Sequence, residues 1–394
     1  MFKNLIANSK NLSYKMSQEA TTLLIPGPVR LSPHVQSALS IQSLSHTSPE
    51  FVTIYQRVLQ NTRRLFKADV KKGLPIVLAG SGTLGFDLVG ANLVSPKDEI
   101  YVISTGFFSD EFAECLNGYG ANITTSRGPV GDIPDLNLIK KTLQENKFKL
   151  VVMTQVDTST GVLNDVESIC KLVRDVSPDS LIVVDGVCSI GCETLEFDKW
   201  GVDFCLTASQ KAIGAPPGLS IAMISERALE TALDNKASVK PFFSSLIKWS
   251  PILKGFEEGR ASYFATPPVQ LINSLDVALD EILEQDGGLD KRVQTHEEKS
   301  NWFKSKITNE LGLELVSQYP QNDVSAHGLT AIYVNNPPQV ISSMKSKGFV
   351  IAGGLYKGIA SKYIRIGHMG YSVCNSDAED IVKCYAALKS TLQE

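Results

Sequence analysis

The sequence has no C-x-x-C pair, because its seven cysteines, Cys115, Cys170, Cys188, Cys192, Cys205, Cys374 and Cys384, stand singly. That absence removes a thiolate zinc centre and a redox dithiol; no metal is expected, and the thiols read as buried and structural in a reducing compartment. Uninterrupted apolar runs of about 18 residues are also missing, so no membrane-spanning helix is expected. Long runs of Lys or Arg are absent, and 38 basic against 42 acidic side chains leave a net charge of -4. Nucleic acid is therefore not an expected partner. What remains is an ordinary globular composition, 43% hydrophobic over 394 residues, enough for one large domain and a smaller one.

The first eighteen residues contain no Arg and no acid; Lys3, Lys10 and Lys15 are scattered among Ser and Asn, and the first acidic residue is Glu19. This start resembles a short organelle-targeting presequence, while Met16 offers a beginning that omits it. The expected compartment is mitochondrial or cytoplasmic, not secreted. The terminal Leu392-Gln393-Glu394 is not a peroxisomal address.

From Leu74 to Ser225 short apolar runs alternate with helix-length amphipathic segments, the pattern of an α/β domain with a mostly parallel sheet. Seven strands are predicted: Pro75–Ala79, Glu99–Ser104, Ile123–Ser126, Leu150–Gln155, Leu181–Asp185, Phe204–Ala208 and Leu219–Ile224. Their continuous Val, Ile and Leu content predicts burial on both faces, under helices such as Asp110–Tyr119, Ile133–Asn146 and Val166–Val176. After Thr266-Pro267-Pro268 a helix is expected over Val269–Glu284, broken by Gly287-Gly288. The expected organisation is an extension over 1–22, a large domain over 23–285 and a small α+β domain over 286–394. In the small domain, helices are predicted over Leu289–Leu311 and Asp377–Leu392, and strands over Leu329–Val334 and Tyr363–Ile366.

Ligands of open α/β sheets collect at the carboxyl ends of strands, so the residues there carry the functional reading. Gly80-Ser81-Gly82-Thr83-Leu84-Gly85 fits G-x-G-x-x-G at a strand-to-helix turn, where backbone N–H groups and the Ser81 and Thr83 hydroxyls can cradle a phosphate. A dinucleotide site would need an acid at the end of the next strand; that end reads Ser104-Thr105-Gly106-Phe107-Phe108, with Asp98 and Glu99 at the wrong end. Pyridoxal phosphate asks for a phosphate cup, an aromatic plate, an acid for the pyridine nitrogen and an amine for a Schiff base. Ser81, Gly82 and Thr83, Phe108, Asp185 and Lys211 supply those four in turn. Lys211 stands in an uncharged, Gly/Pro-rich setting that favours its free amine.

These groups, together with Leu24-Ile25-Pro26-Gly27-Pro28, Asp157-Thr158-Ser159-Thr160-Gly161, Val184-Asp185-Gly186-Val187-Cys188-Ser189, Thr207-Ala208-Ser209-Gln210-Lys211, Tyr263-Phe264-Ala265-Thr266-Pro267-Pro268 and Tyr363-Ile364-Arg365-Ile366-Gly367, resemble the class V aminotransferases of fold-type I. The resemblance runs from about Thr22 to the C-terminus and is strongest to the fungal alanine–glyoxylate branch. It implies pyridoxal 5'-phosphate as cofactor, with Lys211 and Asp185 catalytic and Val187 packed on the ring opposite Phe108. Ser159 would lie near the phenolic oxygen, and Ser81, Gly82, Thr83 and Gln210 would hold the phosphate. Arg365, with Gly27, would bind the substrate carboxylate. Tyr263 and Thr266 would reach the phosphate of a second subunit in a homodimer with shared sites. Many relatives carry Trp at Phe108 and His at Thr83, which leaves substrate preference open. The implied reaction moves the amino group of alanine to glyoxylate by a ping-pong cycle, with serine–pyruvate or serine–glyoxylate transamination as the alternative.

Overall fold

The computed structural model describes residues 21–69, 72–234, 241–320, 324–375 and 379–393; most of the proposed presequence lies outside these. All seven predicted strands form one sheet: β1 (Leu74–Ala79), β2 (Glu99–Ser104), β3 (Asn122–Arg127), β4 (Leu150–Thr154), β5 (Leu181–Asp185), β6 (Phe204–Ala208) and β7 (Leu219–Ile224). Their order is β1-β7-β6-β5-β4-β2-β3, with β7 antiparallel to both neighbours and every other pairing parallel. The central strands β4, β5 and β6 are buried along their whole length, as their unbroken apolar content requires.

Helices α1 (Pro49–Phe66), α2 (Gly82–Leu93), α3 (Phe107–Gly118), α4 (Leu136–Glu145) and α5 (Val166–Val176) join this core, which extends to Leu283. Helix α4 starts later than the sequence predicts, because Asp135 follows Pro134 and caps it, accepting from the Asn137 N–H at 2.8 Å. Helix α3 starts three residues earlier than predicted, at Phe107, and its N-cap position is Gly106, which has no side chain to signal a start.

A second core gathers Phe303, Ile332, Ile364, Ile366 and Leu388, and Leu24 joins it from the beginning of the described chain. Helix α6 (Val269–Asp280) adds its apolar face to the first core, whereas the second is built from α7 (Leu289–Ser305), α8 (Asp380–Gln393) and a small antiparallel sheet of β8 (Leu329–Tyr333), β9 (Ala352–Gly353) and β10 (Tyr363–Gly367). Beyond α6 and α7 the chain continues as single π-helical turns, Glu281–Gln285 and Lys306–Glu310. Among the described residues no helix is long and apolar enough to cross a membrane. All seven cysteines are free; five are buried, while Cys115 and Cys374 are only partly so.

Candidate active site

Strands β5 and β6 are parallel neighbours, with Asp185 beside Leu206 in register, so their carboxyl ends open side by side. Asp185 closes β5 and is 2% exposed. Its Oδ1 accepts the Val187 N–H at 2.9 Å, and among the described residues Oδ2 has no hydrogen-bond donor. Burial pushes its pKa up to about 7; the Val187 N–H pulls down, the nearby Asp157 carboxyl pushes up, and Lys211 pulls down.

Lys211 stands three residues past β6 in a loop that is tied from several sides. Ser209 donates to the Pro216 carbonyl at 2.6 Å, Val29 N–H to the Gln210 carbonyl at 3.0 Å, and the buried Arg292 to the Ala212 carbonyl at 2.7 Å. Its Nζ donates to the Pro26 carbonyl. Burial lowers its pKa; the charge of Arg365 lowers it further, while Cys188 and Asp185 pull it back up. Gly27, at φ +86°, lies directly over this side chain: a Cβ there would stand 2.5 Å from Lys211 Cδ, so only glycine fits.

The first turn of α2 opens next to these groups. Ser81 is its N-cap residue but makes no capping bond; its hydroxyl meets that of Thr83 at 2.6 Å, and both side chains are exposed. No acid occupies this turn, so its N–H groups face outward without a counter-charge. Val187 packs against the Gly82 end of the helix. Gln210 Oε1 is buried without a protein partner. Phe108 is half-buried at the start of α3, edge-on to Phe107 at 5.2 Å.

Arg365 comes from β10 of the small sheet. Its Nε donates to the Gly353 carbonyl at 2.8 Å and Nη1 to the Thr158 carbonyl at 3.1 Å. No acidic side chain pairs with it among the described residues, and burial lowers its pKa. Arg127, by contrast, is neutralised by Asp110 at 2.7 Å.

Two of the predicted site residues stand apart from this group. Tyr263 is 59% exposed, stacks on His46 at 4.9 Å and has its hydroxyl 3.5 Å from that of Thr266, itself exposed. Ser159 is near the site, but its proton goes to Asp157 at 2.6 Å and its oxygen accepts the Phe107 N–H at 2.9 Å. The residue before it, Thr158, reaches the Cys188 thiol beside Asp185. Sequence reading singled out neither Thr158 nor Asp157, although both lie in the quoted Asp157-to-Gly161 turn; a carboxylate directly after a buried strand was the available signal. Tyr363, fully buried, donates to the Ser159 carbonyl and accepts the N–H groups of Leu355 and Tyr356 at 2.9 Å, tying the small sheet to the same turn.

A desolvated amine, a carboxyl with one free oxygen, an open helix N-terminus and an unpaired guanidinium thus meet at the carboxyl end of the large sheet. The profile of the family described as aminotransferase class-V matches residues 31–355. Over 385 residues, 96% of this chain and 99% of the relative, the chain is 54% identical to alanine–glyoxylate aminotransferase 1 of Saccharomyces cerevisiae. It is 28% identical to the serine–glyoxylate aminotransferase of Arabidopsis thaliana, covering 94% of this chain and 90% of that one. The crystal structure of the alanine–glyoxylate aminotransferase from Nostoc sp. superimposes with a TM-score of 0.85 at 26% identity, over 95% of each chain.

Proposed function

Because the chain belongs to the class-V aminotransferase family, we propose that it is an alanine–glyoxylate aminotransferase, taking the amino group of L-alanine and delivering it to glyoxylate to leave pyruvate and glycine. The observation that carries this reading is Lys211, a buried amine with a lowered pKa beside the carboxyl of Asp185 at adjacent strand ends. The residues fit pyridoxal 5'-phosphate: the uncapped turn of α2 suits a phosphate, and the free Oδ2 of Asp185 suits a pyridine nitrogen.

When bound, pyridoxal phosphate supplies an aldehyde carbon for the amino group and a ring that withdraws electrons from the Cα bonds of the amino acid. Lys211 would hold the cofactor's aldehyde through its amine, and its Nζ would take up and return the proton at the substrate Cα. Asp185 would hold a proton on the pyridine nitrogen, Phe108 and Val187 would pack on the ring, and Ser81, Gly82, Thr83 and Gln210 would hold the phosphate. Ser159 acts near the phenolic oxygen through the turn it shares with Thr158. Arg365 would grip the substrate carboxylate through Nη2, its one nitrogen without a protein acceptor among the described residues, while Gly27 leaves room for it. With no second unpaired arginine in the group, small monocarboxylate substrates are favoured over glutamate and aspartate.

The active form is a homodimer, in which Tyr263 and Thr266 complete the neighbour's phosphate site. The large domain spans 23–285 and the small domain 286–394. The start of the chain carries mitochondrial import, with Met16 supplying a cytoplasmic form; fluorescent fusions with and without Met1–Lys15 separate the two. Reconstitution with pyridoxal phosphate should give an absorbance band near ~410–430 nm that shifts when alanine is added, followed by glycine formation once glyoxylate is supplied. A chain that shows no band, or a band indifferent to alanine, would refute the assignment.

A further inference from the structure

Helix α3 begins at Gly106, and no residue of its own first turn caps it. The cap comes from across the molecule. Asp157 Oδ2 accepts both the N–H and the hydroxyl of Ser109 at 3.1 Å, while Oδ1 accepts the N–H of Ser159 at 3.0 Å and its hydroxyl at 2.6 Å. The Ser159 hydroxyl in turn accepts the Phe107 N–H at 2.9 Å. Two N–H groups of the first turn, those of Phe107 and Ser109, therefore end on Asp157 directly or through one hydroxyl. Phe108 lies between them.

The carboxyl is completely buried, and four donors surround it. A Cβ on Gly106 would stand 2.4 Å from Asp157 Cγ and 2.5 Å from Ser159 Oγ, so the missing side chain at the N-cap is what admits the remote carboxylate. On its other side the same turn offers the Thr158 carbonyl to Arg365 and the Ser159 carbonyl to Tyr363. We propose that Asp157 is a positioning residue that acts through Phe108: by capping α3 across space it fixes the aromatic plate over the cofactor ring and locks that plate to the turn that seats Arg365. This rests on the reading of Phe108 as the plate.

A double-mutant cycle on the cofactor-bound enzyme tests it. Asp157→Asn keeps the shape but turns N–H groups toward N–H donors. It should raise the dissociation constant of pyridoxal phosphate roughly tenfold and weaken the visible circular dichroism of the bound cofactor. Phe108→Ala should do the same, and the double variant should be little worse than the more affected single one. Full additivity, or an Asp157→Asn protein with the affinity and dichroism of the parent, overturns the positioning role while leaving the plate intact. If Phe108→Ala itself changes neither quantity, the plate reading fails, and this inference fails with it. Should Asp157→Asn not fold, Ser109→Ala removes one of the four donors and runs the same cycle with a smaller expected shift.

Discussion

The floor and the rim of the site are built on opposite terms. On the floor, Asp157, Asp185 and Lys211 are 0%, 2% and 9% exposed, and their protonation is governed first by loss of solvent. On the rim, Ser81 and Thr83 are exposed, and among the described residues their hydroxyls meet only each other, at 2.6 Å; Tyr263 and Thr266, which stand apart from the group in this subunit, are likewise exposed, with their hydroxyls 3.5 Å from each other. A buried group has its chemistry altered before any ligand arrives. A rim hydroxyl gives up little to rebind a phosphate, so it contributes affinity and geometry rather than reactivity. Damage to the floor should therefore abolish the reaction, whereas damage to the rim should weaken binding.

The largest effect is expected at Lys211. Lys211→Ala removes the amine proposed to carry the Cα proton and should lower the rate of glycine formation by about 10²–10⁴-fold, with pyridoxal phosphate still bound noncovalently. Initial rates after reconstitution give the answer, and near-normal turnover would remove Lys211 from the mechanism.

Asp185 separates stability from activity. In the chain without cofactor its pKa is raised from 3.8 to about 7, so the folded state holds a proton that the unfolded state has already released. Relative to Asn the folded form is unpenalised below about pH 4, loses stability as pH rises toward 7, and carries the full cost above that, about 4 kcal/mol as an upper estimate. Asp185→Asn should thus melt higher than the parent at pH 8, with a much smaller gain at pH 5, while losing transamination. An equal change in melting temperature at both pH values would show that the carboxyl is not the pH-sensitive group. Arg365→Lys stands between floor and rim: it keeps the charge but loses the planar fork, so KM for alanine and for glyoxylate should both rise by roughly tenfold. Unchanged KM values would detach Arg365 from the carboxylate.

How far the sequence was legible follows the same division. The seven strands, and the placing of Asp185 and Lys211 after neighbouring strands, could be read because buried parallel strands have unbroken apolar runs. The early start of α3 could not be read, since its cap is Asp157, 48 residues beyond Ser109, and Gly106 looks locally like a turn. The engagement of the Ser159 hydroxyl was hidden for the same reason: whether a serine is free to meet a ligand depends on which distant groups already hold it. The edge strand Ala352–Gly353 and the pairing of Thr22–Leu23 with Phe349–Val350 are too short to show a period.

The smallest expected effect, and the most informative about the rim, concerns Tyr263 and Thr266. Both are exposed, and Phe264, which follows Tyr263 in the chain, packs against Phe242, itself 72% exposed. Pro267-Pro268 stiffens the loop and keeps it apart from α6. If it reaches a neighbour's phosphate, the paired change Tyr263→Phe, Thr266→Ala should weaken pyridoxal phosphate only several-fold, on the order of the 1 kcal/mol that an ordinary solvent-competed hydrogen bond contributes net. Mixing this variant with Lys211→Ala then distinguishes shared from private sites. In a heterodimer with shared sites, one site carries both lesions and the other carries neither, so activity at limiting cofactor should climb toward roughly half that of the parent per heterodimer. With private sites each would keep its own lesion, and no rise would accompany subunit exchange verified by differently tagged chains.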